Sequence, residues 1–137
     1  MLDYLHPRLS ADRLRAISVL GLAHIGDGVY ELLFRTYYCE MGLPQNGQLH
    51  AHTVKQVSAS AQAKSAEMLL PVLTADEISI FKRGRNCRVN SVPHGCSIAE
   101  YHAATGLEAL FGWLYLNGST ERINELFQMI TEENNAD

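Results

Sequence analysis

Apolar residues recur along most of the chain at steps of three and four, without the strict alternation of a half-buried strand. Leu14, Ile17, Val19 and Leu20, followed by Leu22, Ile25, Val29, Leu32 and Leu33, form a wide stripe of helical period. Ser10 with Asp12 supplies an N-cap, and Gly42 with Pro44 beyond it a stop. Gly21 marks the expected break between a short helix and a longer one, and Asn46-Gly47 reads as a turn. Residues 48–73 are rich in Ala, Ser, Gln and Lys with spaced Leu49, Val54, Val57, Met68 and Leu69, which fits one long or two consecutive amphipathic helices ending near Pro71. Thr74 with Glu77 is a capping box that starts the next helix through Ile78 and Phe81. Residues 90–95, with Pro93, read as an exposed loop; a strongly apolar helix then runs over about 98–116 to the Asn117-Gly118 stop. Ser119 or Thr120 caps a last helix through Ile123, Leu126, Phe127 and Ile130, and residues 132–137 are expected to fray. The expected fold class is all-α, a helical bundle in one domain spanning residues 1–137.

Length and composition agree: 137 residues, 47% of them hydrophobic, can bury a core. The net charge of −4 argues against a nucleic-acid partner only if it is evenly spread, and it is not. Lys82, Arg83, Arg85 and Arg88 hold four of the eleven positive charges within seven residues, leaving −8 on the remainder. Three cysteines (Cys39, Cys87, Cys96) without a Cys-x-x-Cys pair fit thiols of a reducing cytosol better than a disulfide framework. A Cys87, His94, Cys96 metal cluster lacks an obvious fourth ligand. No apolar run approaches the roughly 18 residues of a membrane span, so a cytoplasmic protein is expected.

Two acids interrupt otherwise apolar helices. Asp27 sits between Gly26 and Gly28, although each glycine costs about 1 kcal/mol in a helix interior and a carboxylate on a core-facing stripe must be paired or bind a metal. Glu108 follows Gly106-Leu107 and is the only acid between Glu100 and Glu121. Such a pair points to an oxygen-ligand site for a hard cation, magnesium first and manganese as substitute; the bland alternative is two solvated or salt-bridged edge residues. Glu31 shares the face of Asp27 and is either an outer acid or the i,i+4 partner of Arg35, the favoured role. His24, three residues before Asp27, is a supporting candidate.

The run Lys82-Arg83-Gly84-Arg85-Asn86-Cys87-Arg88 ends a predicted helix, where cations are favoured, but four cations and an Asn exceed what a cap needs. It is either a merely solvated face or an RNA contact that meets phosphates and 2′-hydroxyls, reading A-form shape more than sequence, with Lys55 and Lys64 extending the surface.

The blocks His24-Ile25-Gly26-Asp27-Gly28-Val29-Tyr30-Glu31 and Thr105-Gly106-Leu107-Glu108-Ala109-Leu110-Phe111-Gly112 resemble the two acidic helices of ribonuclease III. With Lys82-Arg83-Gly84-Arg85-Asn86 between them, and with no double-stranded-RNA-binding domain, the chain looks most like the Mini-ribonuclease III family over about residues 14–130. The resemblance implies a homodimer with a valley along its interface, magnesium-dependent hydrolysis of double-stranded RNA, and work on ribosomal RNA precursors of the 23S type, with Asp27 and Glu108 as catalytic metal ligands. It leaves open a ribosomal-protein helper that remodels the substrate. Leu20, Ala23 and Thr105 stand where full-length ribonuclease III carries acids, so Thr105 is at most a supporting residue and a second metal is in question. Two rival functions are a non-catalytic dimeric RNA-binding module and an all-α metal-dependent nucleotide hydrolase. The retained acids oppose the first, and the basic segment opposes the second.

Overall fold

The computed structural model describes residues 2–42, 46–87, 92 and 94–135. Among these residues seven α-helices follow in order: α1 (Ala11–Arg15), α2 (Val19–Glu40), α3 (Asn46–Val57), α4 (Ala59–Leu69), α5 (Ala75–Arg85), α6 (Ile98–Leu116) and α7 (Thr120–Asn135), with a 3₁₀ turn, Leu70–Val72, after α4. Among the described residues there is no strand, as the helical period predicts. Hydroxyl caps set the starts: Ser10, Ser18 and Ser58 each accept from the backbone N–H three residues on, and Thr74 and Ser97 form complete capping boxes with Glu77 and Glu100.

Helix α6 is the axis of the bundle. From Ala104 to Leu114 almost every residue is buried, the mark of a helix surrounded on all sides, and α2, α4 and α5 pack around it. The core joins Tyr30, Phe34 and Tyr38 of α2 to Leu107, Leu110, Phe111 and Leu114 of α6 and to Leu126 and Ile130 of α7. Tyr30 meets Phe111 edge-on at 5.3 Å and Phe34 meets Phe127 at 4.9 Å, so most of the aromatic residues are core. A buried ion pair locks the far end: Arg122 of α7 holds both carboxylate oxygens of Glu77 at 2.8 Å and donates to the Val72 carbonyl at 2.8 Å.

Several sequence expectations need correction. The break before the long helix lies at Ala16–Ser18, not Gly21, because the Ser18 hydroxyl caps α2 and places Gly21 in its first turn. Asn46-Gly47 opens α3 instead of forming a turn. The buried stripe of α2 is Leu22, Ala23, Gly26, Tyr30, Phe34 and Tyr38, while Leu20 and Leu32 are exposed by 49% and 56%. The stretch over 48–73 resolves into two helices, since Ser58 ends one and caps the next. The expected fraying fails for residues 132–135, which continue α7, with Asn134 donating to Gln56 (2.8 Å) and Asn135 to the Tyr37 hydroxyl (2.9 Å). Pro44, Arg88, Pro93 and the last two residues lie outside the described residues, as does much of the loop expected over 90–95.

Candidate active site

The site follows from an unusually close helix crossing. A Cβ built on Gly26 would stand 1.6 Å from the Glu108 carbonyl oxygen, and one on Gly112 would stand 1.9 Å from that of Leu22. Only glycine lets α2 and α6 touch backbone to backbone at these two points. Asp27, next to Gly26, therefore emerges beside Glu108, near enough for its carboxyl group to disfavour ionisation of Glu108. The expected core-facing position of Asp27 is corrected in the process. Gly26 takes the buried place and Asp27 is exposed at the edge of the crossing.

Glu108 is half-buried. Burial, then the contact with Asp27 and its charge, push the Glu108 carboxyl up to about 8; a hydrogen bond from Gln62 works the other way. Gln62 of α4 is buried, and its Nε2 donates to the Val57 carbonyl at 2.9 Å and to Glu108 Oε2 at 3.3 Å. Behind them the Tyr30 hydroxyl is buried beside Ser65 and Glu108 without a well-formed hydrogen bond, and burial raises its pKa. On the open side, Glu108 borders a groove of about 350 Å³ whose wall includes Ser58, Ser60, Gln62, His94 and Tyr101.

This donor set fits a hard divalent cation. The two carboxylates offer oxygen ligands, and one of them held partly protonated is short of positive charge. Among the described residues no group of three or more His, Cys, Asp or Glu is placed to hold a metal ion, so the Cys87, His94, Cys96 cluster is not assembled. The carboxylate pair is as sparse as Leu20, Ala23 and Thr105 lead one to expect.

The remaining candidates are spread around the pair. Glu31 forms an ion pair with Arg35 at 3.1 Å, the i,i+4 pairing that its spacing favours. His24 is exposed on α2. Thr105 is buried and donates its hydroxyl to the Tyr101 carbonyl at 3.0 Å, so it is engaged within its own helix. Lys82 and Arg83 are exposed on the last turn of α5, and Asn86 caps that helix. Arg85 lies over the Phe81 ring, 5.8 Å from its centroid. A Cβ on Gly84 would meet Gly106 Cα at 2.8 Å, which anchors the basic turn to α6 two residues from Glu108. Lys55 is exposed near the end of α3; Lys64, two residues past Gln62, lines a separate pocket with Met68 and Glu133. Gln62 and Ser65 went unnoticed in the sequence, and Tyr30 was read only as part of the first acidic block. The one available signal was Gln62 standing on the 62, 65, 66, 69 face of α4, where an apolar residue is the norm.

A helical bundle that brings two carboxylates from neighbouring helices to the edge of an open groove offers the oxygen donors that a hard divalent cation takes. The model of the ribonuclease III domain matches residues 20–119. The chain is 42% identical to the Mini-ribonuclease 3 of Symbiobacterium thermophilum, over 80% of this chain and 84% of that protein. It is 40% identical to the Mini-ribonuclease 3 of a Thermoanaerobacter species, over 88% and 85%. A crystal structure of a Fusobacterium nucleatum protein superposes with a TM-score of 0.80 at 30% identity, covering 86% of this chain and 96% of that one. The chain belongs to the ribonuclease III family, in its Mini-ribonuclease 3 branch, and is an endoribonuclease. Among the described residues no helix is long and apolar enough to cross a membrane.

Proposed function

We propose that this endoribonuclease cuts double-stranded RNA with magnesium held by Asp27 and Glu108, and that it acts as a homodimer on precursors of 23S-type ribosomal RNA. The observation that carries the proposal is the meeting of the two carboxylates at the glycine crossing of α2 and α6. A bound divalent cation supplies a Lewis acid that activates water and neutralises charge on the scissile phosphate. Asp27, exposed, and Glu108, set deeper, are the residues that would hold the cation, and the raised pKa of Glu108 would make its binding release a proton to solvent. Lys82, Arg83, Arg85 and Asn86 bind phosphates and 2′-hydroxyls along one flank, with Arg88 as the next cation in sequence and Lys55 and Lys64 as outlying contacts.

The exposed row Leu20, His24, Gly28 and Leu32, at four-residue steps along α2, supports self-association. Nothing lies within 4 Å of a Cβ built on Gly28, so the row has a bare centre that a second helix can approach. A duplex with two strands to cut also matches two copies of a single acidic site. The test is incubation of a long RNA duplex with the protein, with magnesium or with chelator. Cleavage of the duplex only with magnesium is expected. Cleavage with chelator present, or of single strands alone, overturns the proposal.

A further inference from the structure

We infer that Gln62 is a positioning residue for Glu108: its amide, wedged between the Val57 carbonyl and the Glu108 carboxylate, fixes the direction in which that carboxylate is offered to a divalent cation. The inference rests on the proposed metal role of Glu108 and extends it to a residue outside the two acidic helices. The buried face of α4 consists of Gln62, Ser65, Ala66 and Leu69, and Gln62 is only 2% exposed. A leucine or methionine there would fill the same space without burying an amide.

The hydrogen bonds fix the sense of that amide. A carbonyl only accepts, so the group facing Val57 at 2.9 Å is the NH₂, whose second hydrogen is left for Glu108 Oε2 at 3.3 Å. The amide oxygen is thereby turned into the interior, where it is buried with no partner. A buried acceptor left unsatisfied is a local fault that a fold keeps where the rest of the group is needed. Val57 is the last residue of α3, so Gln62 joins an orphaned helix-end carbonyl to the carboxylate 46 residues away in sequence. The fully buried Tyr30 hydroxyl lies within electrostatic reach of Glu108. Glu108 thus accepts from Gln62 at the wall of the groove that both residues line. Partners of this kind, one step removed from a metal, orient the ligating group.

The test is Gln62→Met, which keeps length and volume and removes both hydrogens, with Gln62→Asn, which keeps the amide but draws it back by one methylene. Manganese binding to the full chain without RNA is followed by electron paramagnetic resonance, and cleavage of a long duplex is followed against magnesium concentration. Gln62→Met is expected to raise the manganese midpoint about 10-fold and lower kcat about 10- to 100-fold, with KM for the duplex changed less than about two-fold. Gln62→Asn moves the same quantities in the same direction by less, and it alone decides if Gln62→Met fails to fold. A mere helix-end cap would lower the melting temperature and leave the metal midpoint in place, and that result overturns the inference. Asp27→Asn, run in parallel, separates the two layers. If it cleaves normally the metal assignment itself falls; if it is inactive while both Gln62 variants keep the wild-type midpoint, only the positioning role falls.

Discussion

The Asp27–Glu108 contact makes the metal-free protein sensitive to pH in a direction opposite to ordinary acid denaturation. Glu108 is raised from 4.5 to about 8, by burial first and by Asp27 second. Between those values the folded chain holds a proton that the unfolded chain releases, so stability is fully present below pH 4.5 and drains away as pH rises toward 8. At 1.36 kcal/mol per unit the ceiling is about 5 kcal/mol. Asp27 is exposed and Glu108 only half-buried, so solvent screening brings the expected loss to about 2 kcal/mol. Urea unfolding in chelator at pH 5.5 and 8.5 measures this loss. Glu108→Gln, which stays neutral at both, should lose less than about half as much and be the more stable protein at pH 8.5. Magnesium at 100 times its Kd should return about 2.7 kcal/mol to the wild type at pH 8.5 and little to the variant. Equal slopes for both proteins would mean that burial and the neighbouring Asp27 do not raise Glu108 as described.

Gly26→Ala places a Cβ against the Glu108 carbonyl and should destabilise by roughly 3 kcal/mol or more, read by urea midpoint, whereas Gly28→Ala meets nothing within 4 Å and should leave the protomer at least as stable. Arg122→Ala strands the buried Glu77 carboxylate and should cost about 3 kcal/mol at pH 7. Desolvation opposes ionisation of Glu77, but the Arg122 hydrogen bonds and the Thr74 backbone N–H outweigh it and lower its pKa. The wild-type advantage over Arg122→Ala is therefore full above pH 4.5 and shrinks as pH falls through the lowered Glu77 value; an advantage that grows with acid contradicts the ion pair. Arg83→Ala with Arg85→Ala should weaken duplex binding and flatten its salt dependence by about two phosphate contacts; unchanged affinity and slope would remove the α5 turn from the RNA surface.

The helices were legible because caps and period are local. Ser10, Thr74 with Glu77 and the Asn117-Gly118 stop each act within four residues, and α6 was placed at its observed bounds. The errors came where two local signals compete or tertiary contacts decide. Ser18 overrides Gly21 as the start of α2, and Asn134 and Asn135 are held by Gln56 and Tyr37, which no local pattern announces. At the site, the glycines around Asp27 were read for their cost inside a helix; the structure gives Gly26 its reason, the backbone contact with α6, and leaves Gly28 open. Gln62 stayed hidden because its significance depends on α4 crossing α6 at Glu108, a contact 46 residues apart in sequence. Leu20 and Leu32 were assigned to the core stripe because a helical period alone does not say which edge of a wide apolar face turns outward.

The most direct test is Asp27→Asn against the wild type, with both proteins measured for duplex binding and for magnesium-dependent cleavage at saturating RNA. The substitution removes one carboxylate charge from an exposed position and should leave folding and RNA binding within about two-fold, while cleavage falls by at least about 100-fold. Normal turnover by Asp27→Asn would contradict the assignment of the Asp27–Glu108 pair as the catalytic centre.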